Sequence, residues 1–182
     1  KRIVLRMVSE LSRLSKVSIE PAKGLRILLY HSIGKKLPND PSGVFSIDID
    51  TFEQHMAALS RCDKASVTRL RDLSKGVDSL KVAVSFDDGY KDNLYNAAPI
   101  LLDYNIPFTV FVSPAWIQSK DEKYLTPSEL RELSSMPSVS IGAHGMTHMS
   151  LTECDDCTLM NELTSSKKYI EDLIGRPVTT MS

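Results

Sequence analysis

A chain of 182 residues with 42% hydrophobic and 25% charged side chains has the make-up of an ordered globular protein, which excludes a disordered or low-complexity segment. Its 22 basic and 23 acidic residues nearly balance, so no net field draws it to nucleic acid or to an anionic membrane, and a neutral polymer or small molecule is the expected partner. Three cysteines, an odd number, exclude a complete disulfide framework.

The chain opens on KRIVLRMVSELSRLSKV, where Ile3, Val4, Met7, Leu11 and Leu14 recur at helical spacing opposite Arg and Lys. This predicts an amphipathic helix and linker over residues 1–24, docked on the rest of the chain, with attachment to a membrane surface as the lesser alternative. Arg2, Arg6, Glu10 and Arg13 rule out a membrane span, and Arg6 interrupts any signal-peptide core. Residues 25–182 then read as one domain.

LRILLYH, Leu25 to His31, is a near-continuous apolar run of strand length, which predicts a strand buried on both faces. The turn-rich KKLPNDPSG, Lys35 to Gly43, is a loop. Asp50-Thr51-Phe52-Glu53 has the form of a capping box with Asp in the capping place, and Phe52, Met56 and Leu59 give the helix behind it one apolar face. LKVAVSF, Leu80 to Phe86, is the next strand. Leu94 to Tyr104 is a helix that Pro99 kinks or delays. PFTVFVS, Pro107 to Ser113, is a third strand, rich in β-branched and aromatic residues. Thr126, Pro127 and Glu129 start another helix as N-cap, first position and third position. SVSIGA, Ser138 to Ala143, is the fourth strand, and Leu159 to Ile174 a last helix that Gly175 stops. Strand and helix alternate without an internal linker or repeat, which predicts an α/β domain on a mostly parallel sheet.

In such folds ligands bind at the carboxyl ends of the strands. Those ends carry His31, the pair Asp87-Asp88, and His144, with His148 four residues on; His55 falls within a helix and reads as a surface residue. Two adjacent carboxylates at the end of a buried strand repel each other and lose hydration. A dication beside them offsets the repulsion, and two imidazoles with one carboxylate form a common divalent-metal set with positions left for water or substrate. One of Asp87 and Asp88 then binds the metal while the other accepts a proton as general base, and the residue types leave open which is which. A turn or helix cap accounts for Asp88 or Gly89, but poorly for both acids. Tyr90, Trp116 and Tyr124 offer aromatic faces suited to sugar rings, although a lone Trp such as Trp116 is more often a core residue than a binding platform. Cys154 and Cys157 have redox or half-zinc-site spacing; the two acids between them oppose thiolate formation, which favours incidental cysteines near a helix start.

SFDDGY, then a helix and NIPFTVFV, then IGAHGMTHMSL, together resemble the NodB-homology polysaccharide deacetylases, carbohydrate esterase family 4. Ser85-Phe86-Asp87-Asp88-Gly89 stands for their first motif, Thr-Phe-Asp-Asp-Gly. His144-Gly145-Met146-Thr147-His148 stands for the second, in which Ser or Thr commonly follows the first His. The resemblance covers roughly residues 25–182, and YHSIG is similar to the subgroup acting on bacterial exopolysaccharides. It implies a distorted (β/α)7 barrel, here its N-terminal part, since GRPVTTMS falls about where the family continues into a third motif. It also implies metal-dependent removal of N-acetyl groups from N-acetylhexosamine units of a bacterial glycan. The alternatives are an O-acetyl esterase of the xylan type and a catalytically silent glycan-binding module. By motif position Asp87 is the implied general base, and Asp88, His144 and His148 the implied metal ligands. Zinc is the implied ion, with Co2+, Ni2+, Mn2+ or Fe2+ also accepted in the family. His31 and Tyr90 are expected to contact the substrate. Gly145 departs from the second motif and loses a hydroxyl there, for which Thr147 is the candidate substitute.

Overall fold

The computed structural model describes residues 23–37, 40, 42–63, 65–73 and 79–182, so the expected amphipathic helix within residues 1–24 lies outside the described residues. In chain order the elements are β1 (Gly24–Tyr30), β2 (Ser32–Ile33), β3 (Ser46–Ile47), α1 (Ile49–Ser60), β4 (Ala65–Val67), β5 (Leu80–Phe86), α2 (Ala98–Asp103), β6 (Phe108–Val112), α3 (Pro114–Gln118), α4 (Pro127–Ser135), β7 (Val139–Ala143) and α5 (Asp156–Ile174).

The apolar run LKVAVSF becomes the central strand, β5. On one side β1 pairs with it over its whole length, from Gly24 opposite Leu80 to Tyr30 opposite Phe86. On the other, β4 takes its first half and β6 its second, with β7 next to β6. Every pairing is parallel, so the carboxyl ends of β1, β5, β6 and β7 share one edge of the sheet. Alternate residues, among them Val84, Phe86, Phe108, Val110 and Ile141, face the helices and pack with Phe52, Met56, Leu101, Leu130, Leu133 and Ile170. Phe52, Phe86 and Phe108 meet edge to face at centroid distances of 5.9 and 5.8 Å. Each of these large side chains contributes roughly 1.5–3 kcal/mol by leaving water.

β1 is where the sheet departs from expectation. Leu25, Ile27 and Leu29 are 37%, 54% and 50% exposed, so the strand has one open face and is not buried on both. Among the described residues only β5 pairs with it. An apolar run says that a strand is hydrophobic, not how many neighbours it has.

Helix ends follow capping chemistry. α1 starts two residues earlier than its expected box, because Asp48, not Asp50, accepts from the Thr51 N–H at 2.8 Å and the Thr51 hydroxyl at 2.7 Å. α4 has the expected reciprocal box between Thr126 and Glu129. α5 begins three residues before Leu159, capped by Asp155 on the Thr158 N–H at 2.7 Å, and ends at Gly175. Pro99 sits in the first turn of α2, and the residues ahead of it, Asn93–Ala97, form a wider π turn. No helix among the described residues is long and apolar enough to cross a membrane.

Candidate metal centre

β5 delivers Asp87 and Asp88 to the carboxyl edge of the sheet. The Asp87 N–H donates to the Tyr30 carbonyl at 3.0 Å, extending the pairing with β1 by one residue. The chain then turns through two left-handed residues, Asp88 at φ 71° and Gly89 at φ 70°. A Cβ on Gly89 would lie 2.8 Å from Val112 Cγ1, so both conformation and space demand the glycine of FDDG. After β7 the His144 N–H donates to the Val112 carbonyl at 3.0 Å, and the buried Ser113 hydroxyl, at the end of β6, donates to the His144 carbonyl. Among the described residues three non-glycines have positive φ, and two of them are Asp88 and His148. Such residues concentrate at functional sites because surrounding contacts must hold them there, at about 1–3 kcal/mol each.

These two loops bring Asp88, His144 and His148 together, with one ligand atom from each lying within 4.8 Å of the others. His148 Nε2 is 3.0 Å and His144 Nε2 3.6 Å from Asp88 Oδ1. The two rings stand 4.9 Å apart at 62°. His144 Nδ1 lies 2.9 Å from the Ser182 carbonyl oxygen, which only accepts; Nδ1 therefore carries a proton, and Nε2, the nitrogen facing Asp88, is the one available to a metal. Asp88 Oδ1 is buried and has no hydrogen-bond partner despite its nearness to the two rings. A buried acceptor oxygen without a hydrogen-bond partner, beside two imidazole nitrogens, is satisfied by a cation, and two nitrogens with one oxygen suit zinc and similar divalent ions. The residues present fit a metal.

Asp87 stands beside this cluster, 5% exposed. Its Oδ2 accepts from the Ser182 hydroxyl at 3.2 Å, while its Oδ1 is buried without a partner. Burial pushes its carboxyl above the usual carboxylate range; His144, His31 and the Ser182 hydroxyl pull the other way without cancelling it. Asp87 is thus a stronger base than an exposed aspartate.

His31 lies outside the three-residue cluster, near enough for its charge to act on Asp87 and edge to face with Phe45 at 5.0 Å. Its segment is pinned from the turn ahead of α2: Asn93 Nδ2 donates to the His31 carbonyl at 2.7 Å, the Ser32 hydroxyl to Asp92 at 2.6 Å, and Asn96 Nδ2 to the Ile33 carbonyl at 2.6 Å. Tyr90 is 8% exposed and belongs to a row of rings, Tyr90 to Tyr124 at 5.2 Å, Tyr124 to Trp116 stacked at 5.0 Å, and Trp116 to His148 at 5.9 Å. A ring so placed packs the loop behind Asp88 and leaves no free face for a sugar. His55 is exposed, as expected, with Nδ1 3.1 Å from the Tyr30 hydroxyl. Cys154 and Cys157 are free and flank the start of α5, and burial, then Glu162, Asp155 and Glu153, push the Cys154 thiol up.

Two contributors escaped the sequence reading. Ser182 touches both Asp87 and His144, through atoms that every serine has. Glu162, buried on α5, binds the loop between the two histidines. Its one sequence signal was a charge standing four and eight residues before Ser166 and Ile170 in a buried helical stripe.

Residues 74–182 match the sequence pattern of the family described as "Polysaccharide deacetylase". The chain belongs to that family. It is 29% identical over 170 residues to "Putative polysaccharide deacetylase YxkH" of Bacillus subtilis (strain 168), a match covering 90% of this chain and 57% of YxkH, so the chain spans little more than half the length of that relative. Among solved structures it is similar to the Streptococcus pyogenes deacetylase PplD, determined in complex with acetate, with a TM-score of 0.75 and 22% identity over 88% of this chain and 73% of PplD. It is also similar to BC0361, a polysaccharide deacetylase from Bacillus cereus, with a TM-score of 0.71 and 25% identity over 86% of this chain and 49% of BC0361. The fold is accordingly that of the NodB-type deacetylases, with the parallel sheet forming part of a distorted (β/α)7 barrel.

Proposed function

We propose that residues 25–182 form a NodB-type domain of a metal-dependent hydrolase that removes N-acetyl groups from N-acetylhexosamine units of a bacterial glycan. The observation that carries this reading is the convergence of Asp88 Oδ1, His144 Nε2 and His148 Nε2 beside the buried, partnerless Oδ1 of Asp87. Asp88, His144 and His148 would hold the cation, zinc by preference. A divalent ion there supplies Lewis acidity, making a water acidic near neutral pH and polarising the amide carbonyl.

The chain's own groups prepare the attack of water on the carbonyl. Asp87 Oδ1 accepts the proton of the attacking water, helped by the burial that raises its pKa. The Ser182 hydroxyl holds Oδ2, which fixes the direction in which Oδ1 points. The Ser182 carbonyl keeps His144 in the tautomer that presents Nε2. The glycan enters along an open cleft of about 480 Å³, lined by His144, His148, Met149, Leu151 and Ser182. His31 and Phe45 line a shallower pocket, where His31 meets the substrate from the other strand end. Tyr90 serves from behind, through its packing.

Acetate release from N-acetylglucosamine oligomers and from acetylated xylan, before and after chelation and with zinc restored, tests the reading. Release from the oligomers, lost with the chelator and recovered with zinc, is expected. Release from xylan alone would make the protein an ester hydrolase, and indifference to the chelator would end the metal assignment.

A further inference from the structure

We propose that Glu162 is a positioning residue for the metal ligands, anchoring the loop that carries His144 and His148 from a helix outside both strand-end motifs. The inference rests on the metal reading above and adds to it the device that keeps the histidines in place.

Glu162 is 2% exposed, on a face of α5 that continues into the buried Ser166 and Ile170. A carboxylate there loses its water and must be met by donors. Three are supplied, all from residues between the two histidines. The Met146 N–H donates to Oε2 at 2.7 Å, the Thr147 N–H to the same oxygen at 2.9 Å, and the Thr147 hydroxyl to Oε1 at 2.8 Å. Two successive backbone N–H groups aimed at one point form an anion-binding nest, and its occupant here is a side chain of the same molecule. The Ala115 N–H donates to the Met146 carbonyl at 3.0 Å, so Met146 is held through both its N–H and its carbonyl. His148 follows Thr147 directly, at φ 63°, with its Nε2 3.0 Å from Asp88 Oδ1. Holding Thr147 therefore holds the left-handed turn that aims His148.

The same contact explains why this chain has Gly145 where the second motif commonly has Ser or Thr. Gly145 is at φ 69°, and a Cβ there would come 3.0 Å from Glu162 Oε2. A side chain at 145 would be strained at that φ and would crowd the carboxylate, which would have to give by a few tenths of an ångström. The hydroxyl that the motif loses at 145 is present one turn of loop later, on Thr147, with Glu162 as its partner.

An acceptor-only group suits three donors. In Glu162→Gln the amide oxygen still accepts from both N–H groups, and the Thr147 hydroxyl can turn to accept from the amide nitrogen; Glu162→Ala leaves all three donors unmet. The test is zinc affinity of the intact chain by titration against a chromophoric chelator, together with the visible spectrum of the Co2+ form. Wild type, Glu162→Ala, Glu162→Gln and Ile170→Ala are each measured below their own melting temperatures. Glu162→Ala should weaken zinc binding by about 10–100-fold and alter the Co2+ spectrum. Glu162→Gln should stay close to wild type. Ile170→Ala, on the same helix face, should lower the melting temperature without changing affinity.

Glu162→Ala with wild-type affinity and spectrum overturns the proposal, as does an equal loss in Ile170→Ala. If Glu162→Ala does not fold, Gly145→Ala disturbs the contact from the loop side and should weaken binding by about 10-fold or more, and wild-type affinity there overturns the proposal instead. A wild-type chain that binds no zinc or cobalt overturns the metal reading itself, a result distinct from all of these.

Discussion

The helix-facing layer of the sheet and the rim of loops at its carboxyl edge are built from the same strands and obey opposite rules. In the layer, Phe52, Phe86, Phe108, Leu101 and Leu133 are all at most 1% exposed, and periodicity, propensity and packing agree. At the rim a few residues further along, Asp88 and His148 take left-handed backbones, and Asp87 Oδ1 and Asp88 Oδ1 are buried without partners. Each rim feature lowers stability, yet they sit within one small cluster. The difference marks the rim as the candidate site: a fold whose local preferences agree through its core departs from them where the proposed function puts the metal and the base.

The sharpest way to separate the two regions is to remove rim groups and watch stability and chemistry part company. Asp87→Asn should lower the rate of acetate release by roughly 10²–10⁴-fold while zinc affinity stays near wild type, because the proposed function makes the residue the proton acceptor and not a ligand. His148→Ala should lose zinc binding and hydrolysis together. Asp87→Asn should leave the melting temperature near wild type in the absence of metal, since Asp87 Oδ1 has no partner and an amide oxygen can still accept from the Ser182 hydroxyl, whereas His148→Ala also gives up the ring's packing on Trp116. Wild-type turnover in Asp87→Asn would show the base to be elsewhere.

The converse belongs to the layer. Phe52 is fully buried and makes edge contacts with Tyr30 at 5.1 Å and Phe86 at 5.9 Å. Phe52→Ala should destabilise the chain by about 3–5 kcal/mol in denaturant unfolding and leave zinc affinity unchanged wherever the variant is folded. A large affinity loss there would mean that the layer and the rim are coupled and the contrast is false.

Gly89 is the seam between them, and Gly89→Ala should move both readouts. Its Cβ would meet Val112 Cγ1 at 2.8 Å, and its φ of 70° already disfavours a side chain. A destabilisation of about 1–3 kcal/mol is expected, accompanied by weaker zinc binding, because the strain is relieved by shifting Asp88 next door. Loss of stability alone would place Gly89 with the layer.

The same contrast decides what could be read from sequence. Layer elements declare themselves by repetition: β5 was bounded to the residue, and the Thr126 box fixed the start of α4. The expectation failed where repetition is silent. Leu25, Ile27 and Leu29 are apolar and so predict a β1 buried on both faces, although nothing in a run of side chains counts neighbouring strands. α1 was started at Asp50 because Glu53 completes a box pattern, while Asp48, just past β3, has the extended backbone that a cap needs. The short β2, β3, β4 and α3 went unseen, too brief to show a period. At the rim, Asp87, Asp88, His144 and His148 were visible because two strand ends concentrate them in two short motifs. Glu162 was not, because its partners are mainly backbone N–H groups, which any sequence possesses. Ser182 was missed for the same reason, acting on His144 through its carbonyl.

The smallest expected effect lies in the capping acids, whose side chains belong to neither the layer nor the rim. Asp48 is held below the usual carboxylate range by the Thr51 hydroxyl and then the Thr51 N–H; Asp155 is held down by the Thr158 N–H and then its hydroxyl. A carboxyl whose folded pKa is depressed contributes stability that is present above its unfolded value and is lost as pH falls through the folded one. The melting temperature should therefore begin to fall below about pH 4, the ordinary Asp range, and the pair Asp48→Asn with Asp155→Asn should flatten that fall, since Asn still caps but does not titrate. Zinc affinity at neutral pH should be indifferent to the pair. An unchanged acid slope in the double variant would mean that the caps hold the helices by geometry alone, and that the acid sensitivity of the chain comes from carboxylates elsewhere.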